Sequence, residues 1–259
     1  MHSHIDFGYP WLLIYGHLIV AAVGLLLCLL ALARKWPKLL LVALGAITLW
    51  AAAAFLVVRY TFDINGRMTM PTQSFLAAGS GKVLDMGAGT GRSSIMVLEA
   101  RPKTTLVALD TFSTEYARHF GANGNSENVL NLGRQRLLSN FTAAGVEQRA
   151  TIQPGDMRQM PFEPASFDAI VSSYAIDHLR RDGIVKALSE ASRVLKPRGE
   201  FLLMVIAKDR WLNFTWGPIF MHMRNASPAG WANLLRGAGF EVVEQGTRPM
   251  TLYFLARKP

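Results

Sequence analysis

Two uncharged apolar runs constrain this 259-residue chain more than any other feature: Trp11 to Ala33 and Leu39 to Val58. Each is long enough, as a helix rising 1.5 Å per residue, to cross a hydrocarbon core of about 30 Å. Only Arg34-Lys35-Trp36-Pro37-Lys38 separates them, so the pair reads as a transmembrane hairpin. A buried hairpin of a soluble core is the competing reading, but adjacent uncharged runs of this length are rare in soluble folds. A cleaved leader fits worse, because residues 1–10 (MHSHIDFGYP) hold no lysine or arginine. Tyr9, Trp11, Tyr15, Trp36 and Tyr60 cluster near the span ends, where amphipathic rings favour the interface. Gly16, Ala21, Ala22, Gly24 and Ala51–Ala54 offer small surfaces through which hairpins could oligomerise.

The net charge is +9, of which residues 59–259 carry +7. A basic face beside a membrane is drawn to anionic headgroups. Nucleic acid is not expected as a partner: the basic residues are scattered, and no recognition-helix or aromatic RNA-binding signature occurs. The single cysteine, Cys28, lies inside the first span, so neither a disulfide framework nor a cysteine metal site is expected. Three basic residues in the inter-span loop against Arg59 and Arg67 after the second span would place the loop in the cytoplasm. That margin is narrow.

The remainder divides into a juxtamembrane linker, residues 59–80, with a short helix expected over Pro71–Ala78, and a domain over 81–259. Strands are expected at Val83–Met86, Thr105–Leu109, Ala150–Gln153, Phe167–Ser173 and Phe201–Ile206, with two closing strands near Glu241–Glu244 and Thr251–Ala256. Helices are expected at Gly91–Ala100, Val129–Ala144, Ile184–Leu195 and Pro228–Ala238. This alternation gives an α/β fold: a Rossmann-like, doubly wound, mostly parallel seven-stranded sheet.

The stretch KVLDMGAGTGRSS (residues 82–94) ends a strand in Asp85 and turns through Gly87, Gly89 and Gly91. Such a turn brings backbone N–H groups and a helix N-terminus to the carboxyl edge of the sheet. Asp85, two residues before the first glycine, would repel a pyrophosphate, so the pocket suits a ligand without phosphates or with a cationic end. Asp110 closes the second strand 25 residues later, where a carboxylate can accept both ribose hydroxyls. Asp156 and Met157 follow the third strand, suited to an exocyclic amine and an adenine face. No Gly-Lys-Ser/Thr follows the turn, which excludes a P-loop.

The successive stretches VLDMGAGTGRSS, VALD, QPGDMRQMPFEPASFDAIVSSYAIDHL and ALSEASRVLKPRGEFLL resemble, in order and spacing, the motifs of class I S-adenosylmethionine-dependent methyltransferases. The likeness extends over roughly residues 71–258 and is nearest the branch that acts on quinone precursors and other small molecules or lipids. It implies S-adenosyl-L-methionine as cofactor and no metal. By the resemblance, Asp85 with Gly87, Ala88, Gly89 and Gly91 holds the methionine part. Asp110, with Thr111 beside it, holds the ribose, and Asp156 and Met157 the adenine. Ser173 and Tyr174 border the transferring methyl group. Two departures stand out: Arg198 replaces the first glycine of the usual Lys-Pro-Gly-Gly turn, and the stretch after Asp110 is longer than usual. Tyr116 and His119 in that stretch are candidates to close over the substrate, or are solvated loop residues.

Methyl transfer from a sulfonium needs a base only when the nucleophile must lose a proton. Asp177 and His178, just past the fourth strand, are the candidates. In the family a histidine at this place often shapes the site instead, and Asp177 could stabilise the following helix start. Ser172-Ser173-Tyr174 is not the Asn/Asp-Pro-Pro-Tyr/Phe tetrad of amino-group methylation on adenine or glutamine. After the fifth strand, KDRWLNFTWGPIFMHMR (residues 208–224) carries Trp211, Phe214, Trp216, Phe220, Met221 and Met223. In this fold the segment helps cover the substrate pocket. It is either plain packing or a lid that touches the interface and admits an apolar substrate.

The expectation is an integral two-span membrane enzyme, its domain on the cytoplasmic side where S-adenosylmethionine is made. It would methylate an apolar or amphipathic small molecule or lipid, with the bilayer as partner. Methylation of small thiols to volatile products, a non-catalytic cofactor-binding membrane module and a dinucleotide-dependent oxidoreductase are the alternatives. G-x-G-x-G rather than G-x-G-x-x-G counts against the oxidoreductase.

Overall fold

The computed structural model describes residues 4–112, 126–220 and 227–259. Tyr116, His119, Met221 and Met223 lie outside them. The chain divides into two compact units.

The larger unit comprises Met1–Gly8, Arg67–Lys208 and Arg224–Pro259. Its sheet runs in the order β3-β2-β1-β4-β5-β7-β6, from β1 (Ser80–Met86), β2 (Lys103–Asp110), β3 (Ala150–Pro154), β4 (Phe167–Ser173), β5 (Leu195–Ile206), β6 (Glu241–Arg248) and β7 (Thr251–Arg257). From β3 to β5 all pairings are parallel, while β7 runs antiparallel to both β5 and β6. Central strands buried on both faces must be apolar almost throughout, and Val83, Leu84, Met86, Ala169, Ile170, Val171, Leu202 and Leu203 are all buried. Strand order reverses between β1 and β4, both of which start the crevice where doubly wound sheets bind ligands.

The helix expected over Pro71–Ala78 is absent; the stretch is a run of turns. Buried Arg101 explains this. Its Nε donates to the Phe75 carbonyl at 2.9 Å and its Nη2 to that of Gln73 at 2.9 Å. The Leu76 N–H donates to Glu200 Oε2 at 2.7 Å, with Leu76 at φ +47°. Side chains from distant elements occupy the backbone groups a helix would need, so tertiary contacts override local propensity.

The second unit comprises Tyr9–Gly66 and Asp209–Met223. Helices α1 (Trp11–Ala33) and α2 (Lys38–Leu56, continued with wider i→i+5 turns over Val57–Phe62) are long and apolar enough to cross a membrane. Their large apolar side chains face outward, including Leu26, Leu39 and Leu49. Ala21, Gly24, Ala51 and Ala54 are buried, and a Cβ on Gly24 would press on Thr48. Those small residues therefore serve the hairpin's own packing, whereas Ala22, Ala52 and Ala53 remain exposed.

A helix over Arg210–Phe220, absent from the sequence reading, completes this unit. Pro218 has no N–H to offer the Phe214 carbonyl one turn back, and Trp50 Nε1 donates to that carbonyl at 2.9 Å. Trp216 leaves helical geometry at φ −127°, and the next carbonyl, Thr215 O, accepts from His17 Nε2–H at 3.0 Å. The rings follow: His17 lies 5.6 Å from Trp50 and 6.0 Å from Trp216, and Phe62 lies 5.6 Å from Trp216. Replacing Trp50 by Phe keeps the ring but leaves a carbonyl without its donor. We expect Trp50→Phe to lower the stability of the detergent-solubilised chain by about 1–2 kcal/mol in a thermal melt; an unchanged melt would show that the indole N–H contributes nothing.

Candidate functional site

The candidate site is the carboxyl edge of β2, β1, β4 and β5, which lie side by side. β1 ends in Asp85 and Met86, and the chain turns through Gly87, Ala88, Gly89, Thr90 and Gly91 into the helix Arg92–Ala100, α3. Gly87, Gly89 and Gly91 have φ of +84°, +54° and +91°, values that L side chains adopt at a cost. At Gly87 there is also no room: a Cβ would fall on Ala175 and lie 2.8 Å from Met157 Cε. Ala175 and Met157, from the loops after β4 and β3, thus meet at the first glycine.

Four of the loop's five amides are spoken for. The N–H groups of Gly87 and Ala88 both donate to the Leu109 carbonyl, that of Gly89 to Asp110 Oδ2 at 2.9 Å, and that of Gly91 to the Ala88 carbonyl. A phosphate cradle needs such amides turned toward the ligand. This turn spends them inward, which agrees with a ligand lacking phosphates there.

Asp85 is fully buried. Its Oδ2 accepts from Ser93 Oγ at 2.7 Å and Ser94 Oγ at 2.5 Å, while Oδ1 has no partner among the described residues. Burial raises its pKa to about 6 against the lowering effect of the two serine hydroxyls, and the Asp110 charge adds to the rise. Asp110, also buried, accepts from the Gly89 and Phe112 N–H groups; desolvation raises its pKa as well. Thr111 beside it is exposed. Two buried carboxylates, one with an orphaned oxygen, favour a cationic, hydroxyl-bearing guest. On that observation the residues present fit S-adenosylmethionine.

Asp156 grips Arg158, with Nη2–Oδ2 at 2.6 Å and both oxygens 3.0 Å from Nε, and this pairing holds its pKa low. Ser173 Oγ faces Met68 Sδ at 3.7 Å, so the linker reaches the end of β4. Tyr174 sits at φ +50°, an uncommon conformation for a bulky residue, and its hydroxyl bonds Thr251 Oγ1 on β7. Asp177 does not cap a helix. Its Oδ2 accepts from the Ile206 N–H at 3.0 Å, tying the turn after β4 to the end of β5. Its Oδ1 is shut from solvent without a partner among the described residues, and burial raises its pKa against the lowering influence of His178. His178 itself is exposed.

Sequence reading assigned no role to Ser93, Ser94, Ser172 or Met68. Ser172 Oγ donates to the Met86 carbonyl at 2.7 Å, joining β4 to the start of the glycine turn. The serines after Gly91 carried a faint signal, since hydroxyls in a first helical turn below a strand-end acid are placed to reach it.

Residues 84–203 match the family model described as a methyltransferase domain. Among curated proteins, the chain is similar to the ubiquinone/menaquinone biosynthesis C-methyltransferase UbiE of Brucella anthropi, 34% identical over 47% of this chain and 39% of that protein. It is also similar to the same-named protein of Bartonella bacilliformis, 33% identical over 48% and 40%, and to a demethylmenaquinone methyltransferase of Symbiobacterium thermophilum, 27% identical over 51% and 46%. The chain thus spans less than half the length of these relatives. Among solved structures, an O-methyltransferase family 2 protein from Planctomyces limnophilus, in complex with apigenin, aligns with a TM-score of 0.54 at 16% identity, over 92% of this chain and 62% of that one. A putative sarcosine dimethylglycine methyltransferase from Galdieria sulphuraria aligns at 0.50 and 18% identity, over 69% and 78%. These likenesses establish the fold.

An acid whose folded pKa exceeds its unfolded value favours the fold at low pH and loses that contribution as pH rises through the folded value. We therefore expect ligand-free Asp85→Asn to melt higher than the parent at pH 8. The gap should close toward pH 5, where the parent takes up its proton; a gap that does not change with pH would contradict the buried charge.

Proposed function

We propose that the methyltransferase domain at residues 84–203 makes this chain an S-adenosylmethionine-dependent methyltransferase whose acceptor is an apolar or amphipathic molecule dissolved in the bilayer. The observation that carries the cofactor reading is the pair of buried carboxylates at the glycine turn, with Asp85 Oδ1 still open. Asp85 and the Gly87–Gly91 loop would hold the methionine end, Asp110 with Thr111 the ribose, and Met157 the adenine. Asp156 would take the exocyclic amine only by sharing its carboxylate with Arg158.

Bound there, S-adenosylmethionine supplies an electrophilic methyl group. What falls to the chain is aligning a nucleophile and excluding water. Tyr174 and Ser173 stand at the end of β4 to border the acceptor. The carboxylate of Asp177, buried with one oxygen lacking a partner among the described residues and its pKa raised by desolvation, is the candidate to take a proton from the acceptor.

The acceptor class is supported by the second unit. The segment after β5 is built into the apolar hairpin through His17, Trp50 and Phe62. The relatives' printed names include quinone methylation, and an isoprenoid quinone precursor belongs to the same class of acceptor. Cytosolic supply of the cofactor favours the larger unit on the cytoplasmic face, with residues 34–38 opposite.

Two measurements test this. S-Adenosylhomocysteine carries the same ammonium and adenosine. Its calorimetric affinity for the purified chain should be level above about pH 6 and fall below it as Asp85 takes up a proton. Asp85→Asn should bind at least tenfold more weakly and lose this pH dependence; an unaltered profile would refute the assignment of Asp85. With methyl-labelled S-adenosylmethionine, label should enter the non-volatile organic extract of total membrane lipid. Volatile label from small thiols alone would make the hairpin an anchor, and binding without turnover on either would favour a sensing module.

A further inference from the structure

Asp6, Phe7 and Gly8, shortly before α1, make specific contacts with the glycine turn and the helix Ser126–Ala144. Phe7 is 1% exposed, although the residues on either side of it, Asp6 and Gly8, are not buried. Its carbonyl accepts from Thr90 Oγ1 at 3.0 Å, and its ring lies 6.0 Å from the Arg92 guanidinium. Thr90 is a member of the glycine turn and Arg92 opens the helix that follows it.

A second element closes the same contact. The helix Ser126–Ala144, α4, presents Asn140, whose side-chain amide treats Asp6 as a neighbouring strand would. Oδ1 accepts from the Asp6 N–H at 2.9 Å and Nδ2 donates to the Asp6 carbonyl at 2.9 Å. The other Nδ2 proton goes to the Thr90 carbonyl, also at 2.9 Å. Asn140, 1% exposed, thus spends its amide on the N-terminal segment and the turn together. Arg136, one turn before Asn140, sits 3.7 Å from Asp6, and its guanidinium would have to shift for a Cβ at Gly8. Phe141, the next residue, lies 2.9 Å from where a Cβ on Gly91 would stand.

Thr90 is therefore held by both its hydroxyl and its carbonyl, and neither bond comes from within the turn. We propose that residues Asp6–Gly8 are a strap that positions the glycine turn for the cofactor, with Phe7 and Asn140 as its positioning residues. The strap ends three residues before α1 begins at Trp11. This inference rests on the cofactor reading given above. It adds that the turn's affinity for S-adenosylmethionine depends on chain that precedes the methyltransferase motifs by some 80 residues.

The test uses the full chain in nanodiscs and measures S-adenosylhomocysteine affinity beside methyl-transfer kinetics. Phe7→Ala and Asn140→Leu should each weaken S-adenosylhomocysteine binding about tenfold and raise the KM for S-adenosylmethionine to match. The kcat at saturating cofactor and the KM for the acceptor should hold. Phe7→Leu, which refills the pocket, should restore the affinity. Loss of folded protein would lower the apparent kcat without moving KM, so it is read separately. Asn140→Leu, of similar volume and outside the turn, guards against a Phe7→Ala chain that fails to fold. Affinities unchanged in both variants, whatever happens to the melting temperature, overturn the strap. A parent chain that binds no S-adenosylhomocysteine overturns the cofactor reading, and the strap with it.

Discussion

A carboxylate placed at the centre of a parallel sheet, held by two serine hydroxyls and the Ser94 N–H, is an expensive arrangement. An isolated charge in such surroundings costs several kcal/mol and answers by shifting its pKa, as Asp85 does. The surroundings are organised around that cost. The helix after the glycine turn must begin with hydroxyls on the side facing β1, and Ser93 and Ser94 supply them. The turn must fold its amides inward onto Leu109 and Asp110, which takes positive φ at three positions. Loops after β3 and β4 then close on Gly87 through Met157 and Ala175. What is left open is one carboxylate oxygen, a feature that stabilises nothing in the ligand-free fold and suits a cationic guest.

The same economy governs the hairpin unit. A proline and a distorted tryptophan leave two carbonyls of the helix Arg210–Phe220 without regular partners. In an apolar setting each such group costs more than it would in water. An indole and an imidazole from the two long helices answer them. A histidine within an apolar span needs a reason, and here the Thr215 carbonyl provides it. Because the chain enters this unit twice, at Tyr9 and again at Asp209, the hairpin and the segment after β5 are parts of one packed body. Cutting at residue 58 would remove one side of that body and leave the other with unpaired carbonyls and uncovered rings.

How far the sequence discloses this depends on what each residue's partners are. The strands are legible because a buried parallel strand has to be apolar on both faces and end at a polar or glycine residue, as VLDMG and VALD do. The spans are legible by length alone. The turns at 71–78 are not, since Arg101 and Glu200, 20 to 130 residues away, decide where those backbone groups bond. The helix-start alternative for Asp177 fails for the same reason: an acid ahead of a helix looks like a cap, yet its carboxylate bonds the end of β5. Motif positions such as Asp85 and the glycines carry their own local logic, whereas Ser172 and Met68 acquire meaning only from strand order and linker path.

The N-terminal residues are the extreme case. MHSHIDFGYP has no periodicity, no cap and no charge pattern. Its one clue, a phenylalanine between polar and glycine neighbours, fits any interfacial anchor equally well. The place of Asp6 is set by Asn140, an amide inside a helix and about a turn from its end, where that residue is normally a mild liability. Such an asparagine is best explained when its amide has work outside the helix, and here all three of its bonds lie outside. The helix accepts a poorer former at one position and in return fixes two segments that cannot fix themselves: a glycine-rich turn with high backbone entropy and the short stretch around Asp6.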